Sequence, residues 1–136
     1  MRLFPSLIIG AALIGASASA LAADRDNSKN EARLTAALAG RVAGKPVDCI
    51  NLRDIRSSQI IDNTAIVYDT GRGQLFVNRP RVGASSLDND DILVTKTYGS
   101  ELCSLDTINL IDRGSRFTHG FVGLGEFVPY SKPARD

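Results

Sequence analysis

From Val47 onward, short apolar runs alternate with clusters of turn-forming residues, and this pattern predicts β-strands. The runs are rich in valine, isoleucine, threonine and aromatic residues, which favour strands, while glycine, asparagine, aspartate and serine separate them. The predicted strands are Val47–Leu52, Ser58–Asp62, Thr64–Asp69, Gln74–Asn78, Ile92–Thr97, Leu105–Asp112 and Phe117–Val128. The pattern therefore predicts about seven short strands.

Three of these runs follow one another so closely that they predict a meander of hairpins. A tight turn around Asp62 and Asn63 joins the first two runs, because both residue types tolerate turn geometry. A second reversal at residues 70–73 contains two glycines and leads into the third run. Ile66 and Val67 are adjacent and both apolar, so the middle strand is predicted to be covered on both faces.

One short helix is predicted before the strands. Ser28 with Glu31 three residues later forms a capping box, which marks the start of a helix. Gly40 ends the helix and Pro46 prevents it from resuming. An apolar stripe at intervals of four predicts packing against the domain, and a frayed helix in solution is the alternative. The stripe consists of Leu34, Leu38 and Val42.

No helical pattern lies between the predicted strands, which argues against a parallel sheet. The sequence instead predicts a mainly β fold: one small antiparallel β domain over residues 47–130, either a curved sheet or a small barrel. A leader and the short helix occupy residues 23–46, and a loose tail is predicted over residues 131–136. The helix is expected to cover one side of the β domain.

The first 22 residues have the pattern of a cleaved export signal. Arg2 precedes an apolar run over residues 3–16, and Ala20 and Ala22 supply the small pair that a signal peptidase reads. A membrane anchor is the alternative, but the apolar run is shorter than the roughly 20 residues that span a bilayer, and Pro5 lies near its start. The sequence therefore predicts a periplasmic or secreted protein without a transmembrane anchor.

Cleavage changes the charge balance of the chain. Removing residues 1–22 takes away Arg2 and no acidic residue, so 16 basic and 15 acidic residues become 15 of each. Nucleic-acid-binding proteins carry a clear basic excess, so no nucleic-acid partner is expected. The remaining 114 residues are enough for one domain with its own core.

Cys49 and Cys103 are the only two cysteines. In an exported chain an even number of cysteines favours a disulfide, and this one would close a loop of 54 residues. Such a loop contributes about 4 kcal/mol on the chain-entropy estimate. A reactive or metal-binding thiol is the alternative, although neither cysteine has the nearby second cysteine that redox pairs and zinc half-sites use.

Four arginines form a candidate anion-binding set. Two of them follow the predicted first strand, and two lie at the start of the polar loop after the meander. All four would converge if the end of that strand lies near the loop. Guanidinium groups bind carboxylates and phosphates through paired hydrogen bonds, which would suit lipid head groups or cell-wall acids. Surface ion pairs with Asp48 and Asp54 are the alternative. The four residues are Arg53, Arg56, Arg79 and Arg81.

Acidic residues in the same polar loop form a candidate metal site: Asp88, Asp90 and Asp91. Their oxygens suit calcium. The helix–loop–helix calcium motif, however, needs glycine and glutamate where this chain has Leu93 and Gly99. A solvated loop is therefore the favoured interpretation, and no metal or cofactor is predicted.

His119 is the only histidine and hence the only side chain whose ordinary titration lies near neutral pH. It could act as a general base, with Cys49, Ser115 or Thr118 as the nucleophile. Its position near a predicted strand edge favours a structural role instead.

Five segments in this order resemble a family of small exported proteins of Gram-negative bacteria, catalogued as a domain of unknown function. The segments are Arg41–Ile50, Asp54–Ser57, Ile61–Asp62, Leu102–Cys103 and Gly123–Phe127. The resemblance covers roughly residues 41–130 and implies an exported domain with no established activity. Many members of the family carry a further cysteine pair near the segments matching 79–83 and 121–123, where this chain has none.

Together these features predict a non-enzymatic periplasmic binding or accessory domain for an unidentified envelope protein or ligand. Two alternatives stay open. One is a small cell-envelope hydrolase that uses His119. The other is a secreted inhibitor-like protein, which fits the size, the export signal and the disulfide.

Overall fold

Short hydrogen-bonded strands organise most of the chain in the computed structural model, which describes residues 18–134 and side chains from residue 25 onward. The predicted signal peptide, residues 1–22, lies outside the residues described with side chains. The elements are α1 (Ala18–Ala37), β1 (Val42–Ala43), β2 (Cys49–Asn51), β3 (Ser57–Ile61), β4 (Ala65–Asp69), β5 (Leu75–Asn78), β6 (Asp91–Thr95), β7 (Glu101–Cys103), β8 (Thr107–Asp112), β9 (Thr118–Gly123) and β10 (Phe127–Ser131).

The strands form three antiparallel sheets, which confirms the predicted mainly β, antiparallel fold. The largest sheet has the strand order β1-β10-β5-β4-β3, a second has β6-β8-β9, and a third consists of β2 and β7. Between the two predicted alternatives, the described residues form open sheets and no closed barrel.

The predicted meander is confirmed by β3, β4 and β5, which pair in consecutive order. The Thr64 amide donates to the Ile61 carbonyl at 3.0 Å and closes the first turn, where Asn63 has a positive φ of 55°. As predicted, β4 is the middle strand of the meander, between β3 and β5, and both of its faces are buried. Ile66 belongs to one hydrophobic cluster and Val67 to the other, so β4 separates two halves of the core.

The helix packs on one of these two clusters. Leu34 is buried there against Ile61, Ala65 and Val67, and Leu38 lies at the edge of the same cluster. This confirms that the helix covers one side of the β domain. No helix within residues 18–134 combines the length and apolarity needed to cross a membrane.

The helix boundaries differ from the predicted ones. The described helix spans Ala18–Ala37, so Ser28 lies inside it and is not an N-cap. Alanine has the highest helix propensity, and the alanine-rich segment before residue 24 extends the helix toward the N-terminus. Val42 was predicted on the apolar stripe of the helix, but it lies in β1 and is exposed.

Three strands, β1, β7 and β10, differ from the sequence prediction because each of them pairs with a distant part of the chain. β1 and β7 were not predicted, and the last β-rich stretch divides into β9 and β10, which belong to different sheets. β10 also extends into the predicted tail, since Ser131 pairs with Val42. Short strands of two or three residues carry too little periodicity to be seen in a sequence.

A buried asparagine fixes the passage from β9 to β10. The Asn78 side chain is 0 % exposed, donates to the Gly125 carbonyl at 2.7 Å and accepts from the Gly125 amide at 3.0 Å. A Cβ atom at Gly125 would lie 2.5 Å from the Arg79 carbonyl oxygen, so only glycine fits this approach. One side chain therefore satisfies both backbone groups of a buried residue.

Replacing this asparagine should destabilise the domain. We expect Asn78→Ala to lower the free energy of unfolding by about 2–4 kcal/mol. The substitution leaves both the amide and the carbonyl of Gly125 without a partner, and each such buried group costs about 1–3 kcal/mol. Urea unfolding followed by circular dichroism measures the change.

Tyr68→Phe is the matched control in the same core. The Tyr68 hydroxyl is buried without a hydrogen-bond partner among the described residues, and burial raises its pKa. Its removal should leave stability unchanged or raise it. A loss in Asn78→Ala no larger than that in Tyr68→Phe would contradict the role given to Asn78.

Candidate functional site

The predicted disulfide between Cys49 and Cys103 is present and joins two strands that face each other directly. The two residues are register partners in the β2–β7 sheet, with a Cα–Cα distance of 4.0 Å. Backbone hydrogen bonds flank them, from the Ser104 amide to the Asp48 carbonyl and from the Leu52 amide to the Ser100 carbonyl. Both sulfur atoms belong to the disulfide, so neither cysteine is a free nucleophile.

The chain leaves β2 through one 3₁₀ turn, Leu52–Asp54, which places the first two arginines. The Asn51 side chain caps this turn by accepting from the Arg53 amide at 3.0 Å. The turn ends at Ile55, and the Arg56 amide then donates to the Asp69 carbonyl at 2.7 Å. The disulfide-linked strand thus leads directly into Arg53 and Arg56.

The β4–β5 turn supplies a third arginine that the sequence analysis missed. Gly71, Arg72 and Gly73 all have positive φ angles, from 56° to 78°. A Cβ atom at Gly71 would lie 2.6 Å from Nε of Arg56, so the glycine lets the Arg56 side chain lie across the turn. The glycines on each side of Arg72 could have signalled an exposed turn arginine, but not its nearness to Arg56.

These three arginines line one open cavity of about 610 Å³, which we call the arginine groove. Asp54 is the only acidic residue among its lining residues. Apolar side chains complete the lining, so the groove combines cationic and hydrocarbon surface. The apolar residues are Val47, Ile50, Phe76 and Pro129.

The three guanidinium groups have no carboxylate partner among the side chains of residues 25–134. Three other arginines of the described chain form ion pairs, with Asp62, Glu31 and Asp90. Further positive charge lies on the other side of the β4–β5 turn. Arg41 donates to the Gly73 carbonyl at 3.1 Å, and the Lys132 side chain lies against the same glycine.

The structure divides the four arginines that were predicted to converge. Arg53 and Arg56 line the arginine groove, whereas Arg79 and Arg81 do not. Arg79 binds Glu31 through two hydrogen bonds of 2.7 and 2.9 Å. Arg81 donates to backbone carbonyls of residues 124 and 104, at 2.8 and 3.2 Å. These two arginines are therefore engaged in contacts within the domain and do not face the groove.

The acidic loop uses its carboxylates within the chain. Asp88 accepts from the Asp90 amide, and Asp91 accepts from the Asp88 amide. Asp90 pairs with Arg113 at 3.4 Å. Among the described residues, the one group of possible metal ligands close enough to share an ion is Cys49, Glu101 and Cys103, and the two sulfurs of that group are already bonded.

His119 forms a hydrogen bond of 2.7 Å with Asp91 through Nε2. The Asp91 side chain is 3 % exposed and the His119 side chain 39 %, so the histidine shields a buried carboxylate. Neither Ser115 nor Thr118 has a hydrogen bond to the imidazole in the described chain. The Ser115 hydroxyl instead accepts from the Phe117 amide.

No protein-family model, no curated protein and no solved structure matches this chain. The resemblance of residues 41–130 to a family of small exported proteins therefore stays a prediction. The role of each site residue is argued from its own geometry.

The Glu31–Arg79 pair makes a prediction about pH. The hydrogen bond from Arg79 holds the pKa of Glu31 below its ordinary value of 4.5. Its stabilisation is therefore complete above that value and is lost as the pH falls through the lowered folded-state pKa. Because exposed ion pairs contribute about 0–1 kcal/mol, Glu31→Gln should cost at most about 0.5 kcal/mol near neutral pH.

Chemical unfolding of Glu31→Gln and wild type across the acid range measures this difference, which should vanish at low pH. Glu126→Gln is the control, since it removes an exposed acid that forms no ion pair in the described chain. A Glu31→Gln effect that persists at the lowest pH would contradict the ion-pair explanation.

Proposed function

We propose that this chain is a non-enzymatic binding domain that takes an anionic ligand in the arginine groove. The observation that carries the proposal is the set of three guanidinium groups, Arg53, Arg56 and Arg72, around one cavity without carboxylate partners in the described chain. One carboxylate in the lining, that of Asp54, faces three guanidinium groups, so net positive charge remains and a bound anion relieves the repulsion between them. Three arginines elsewhere in the domain do form ion pairs with carboxylates, in contrast to the three of the groove.

The composition of the groove indicates the kind of ligand. An arginine binds a carboxylate or phosphate through two parallel hydrogen bonds, so three arginines suit a ligand with more than one anionic group. The apolar wall of Ile50, Phe76 and Pro129 suits a hydrocarbon part of the same ligand. The proposed ligand is therefore an amphipathic polyanion, such as an acidic lipid head group or a cell-wall acid.

The proposed location is the periplasm or the exterior of the cell, after cleavage near Ala22. The disulfide supports this location, because disulfides persist in oxidising compartments. The neutral charge of the processed chain supports a ligand other than nucleic acid.

A second candidate, a hydrolase that uses His119, has one observation in its favour. Asp91 holds the imidazole through a 2.7 Å hydrogen bond, an arrangement that orients a general base. This candidate would require a substrate hydroxyl or water at the free ring nitrogen.

Anion binding should depend on the groove arginines specifically. We expect the triple variant Arg53→Gln/Arg56→Gln/Arg72→Gln to bind hexyl phosphate and citrate at least about ten-fold more weakly, since each charge-assisted hydrogen bond contributes about 1.5–3 kcal/mol. Isothermal titration calorimetry at low ionic strength, where surface charges are least screened, measures the affinities.

A second triple variant removes the same charge elsewhere and serves as the control. Arg33→Gln/Arg79→Gln/Arg113→Gln replaces three arginines that form ion pairs outside the groove. It should keep most of the affinity. Equal losses in both triple variants, or no binding of either probe to wild type, would contradict the proposed function.

A further inference from the structure

Two outer strands of different sheets line a second cavity, of about 660 Å³, which we call the edge groove. β3 is the last strand of the five-stranded sheet and β6 is the first of the three-stranded sheet. In the described chain β3 pairs only with β4, and β6 only with β8. The groove therefore lies between two strands that each have one unpaired edge.

The other junctions between sheets are closed by backbone bridges. Val47 bridges to Phe127 and connects the entry of β2 to β10. Val82 bridges to Gly123 and connects the segment after β5 to β9. No bridge joins β3 to β6 within residues 18–134, so this junction is where the strand pairing of the domain is interrupted.

The edge groove is closed at one end and opens toward the other. The Asn89 amide donates to Oδ1 of Asp62 at 2.6 Å, and the Asn63 amide donates to the Leu87 carbonyl at 3.1 Å. These bonds join the end of β3 to the segment before β6. Burial decreases away from them along β3, from buried Ile61 to exposed residues 57–59. The exposure of β3 therefore increases away from the joined end.

The backbone hydrogen-bond pattern identifies which groups of β3 face the groove. The Ile61 carbonyl accepts from the Thr64 amide on the β4 side of the hairpin. Because backbone groups of a strand alternate between its two edges, those of Ser58 and Ile60 point away from β4. No backbone or side-chain partner binds them within the described chain.

The charged side chains of the edge groove do not point to a charged ligand. The two arginines in its lining, Arg33 and Arg113, are already paired with Asp62 and Asp90. The groups without partners are backbone N–H and C=O groups at strand spacing, next to partly buried Ile92 and Leu93. Another extended backbone is the ligand whose donors and acceptors have that spacing.

We infer that the edge groove binds an extended polypeptide segment of a partner protein, which pairs with β3 as an additional strand. β3 lacks two of the features that protect natural edge strands from pairing. It contains no proline and no charged residue over Ser57–Ile61. This binding site uses different residues from the arginine groove and does not depend on the proposed anion ligand.

The test uses a short alternating peptide, acetyl-(Thr-Val)₃-amide, and the same peptide with an N-methyl group on every residue, which blocks both of its edges. Amide hydrogen exchange and chemical shifts of the ¹⁵N-labelled protein report the binding. The unmethylated peptide should slow exchange at Ser58 and Ile60 by at least about ten-fold, whereas the fully methylated peptide, which lacks backbone N–H donors on both edges, should not.

Two variants at one exposed position locate the contact on the protein. Ser58→Pro removes the outward N–H and should abolish peptide binding, while Ser58→Ala keeps that N–H and should retain it. Unchanged exchange protection of β4 in Ser58→Pro shows that the sheet is intact. If that variant does not fold, the comparison of the two peptides on wild type decides.

Three outcomes would overturn the inference. The first is equal binding of both peptides. The second is the absence of any peptide effect on β3 or β6 amides at millimolar concentration. The third is self-association through β3 in place of peptide binding, which would make a second copy of the chain the occupant.

Discussion

The bond between Cys49 and Cys103 is the constraint on which the candidate site depends. β2 and β7 are each three residues long, and a two-stranded sheet of that length is marginal in water. The disulfide joins the strands at one register pair, while Ile50 and Leu102 at the next pair are buried in the larger core cluster. The covalent bond and the core together hold the point from which Leu52–Asp54 leads to the groove.

The arginine groove arises where this covalently held segment meets a turn that only glycine-rich sequence can form. Positive φ angles at Gly71 and Gly73 present Arg72, and the missing Cβ of Gly71 makes room for Arg56. The result is a local concentration of positive charge in a chain whose residues 23–136 carry equal numbers of basic and acidic side chains. A small anion therefore meets a locally positive surface even though the net charge of the domain does not favour a large polyanion such as nucleic acid.

Local signals made part of this structure predictable. The β3–β5 meander follows from turn residues and alternation within about twenty residues of sequence. β1, β7 and the separation of β9 from β10 depend on pairing between distant segments, which leaves little local pattern. The same limit applies to the site. Arg53 and Arg79 were predicted to serve the same anion site, and it is the tertiary fold that pairs Arg79 with Glu31 instead. The tertiary fold also brings Arg72 to the groove.

The most direct test compares anion affinity with and without the disulfide. Citrate and hexyl phosphate are titrated into the oxidised protein and into Cys49→Ala/Cys103→Ala, with amide chemical shifts of β3–β5 recording whether the main sheet persists. The account predicts that the main sheet remains while affinity falls at least about ten-fold, because the segment that carries Arg53 and Arg56 loses its anchor. Unchanged affinity in the cysteine-free protein would contradict the claim that the disulfide organises the site.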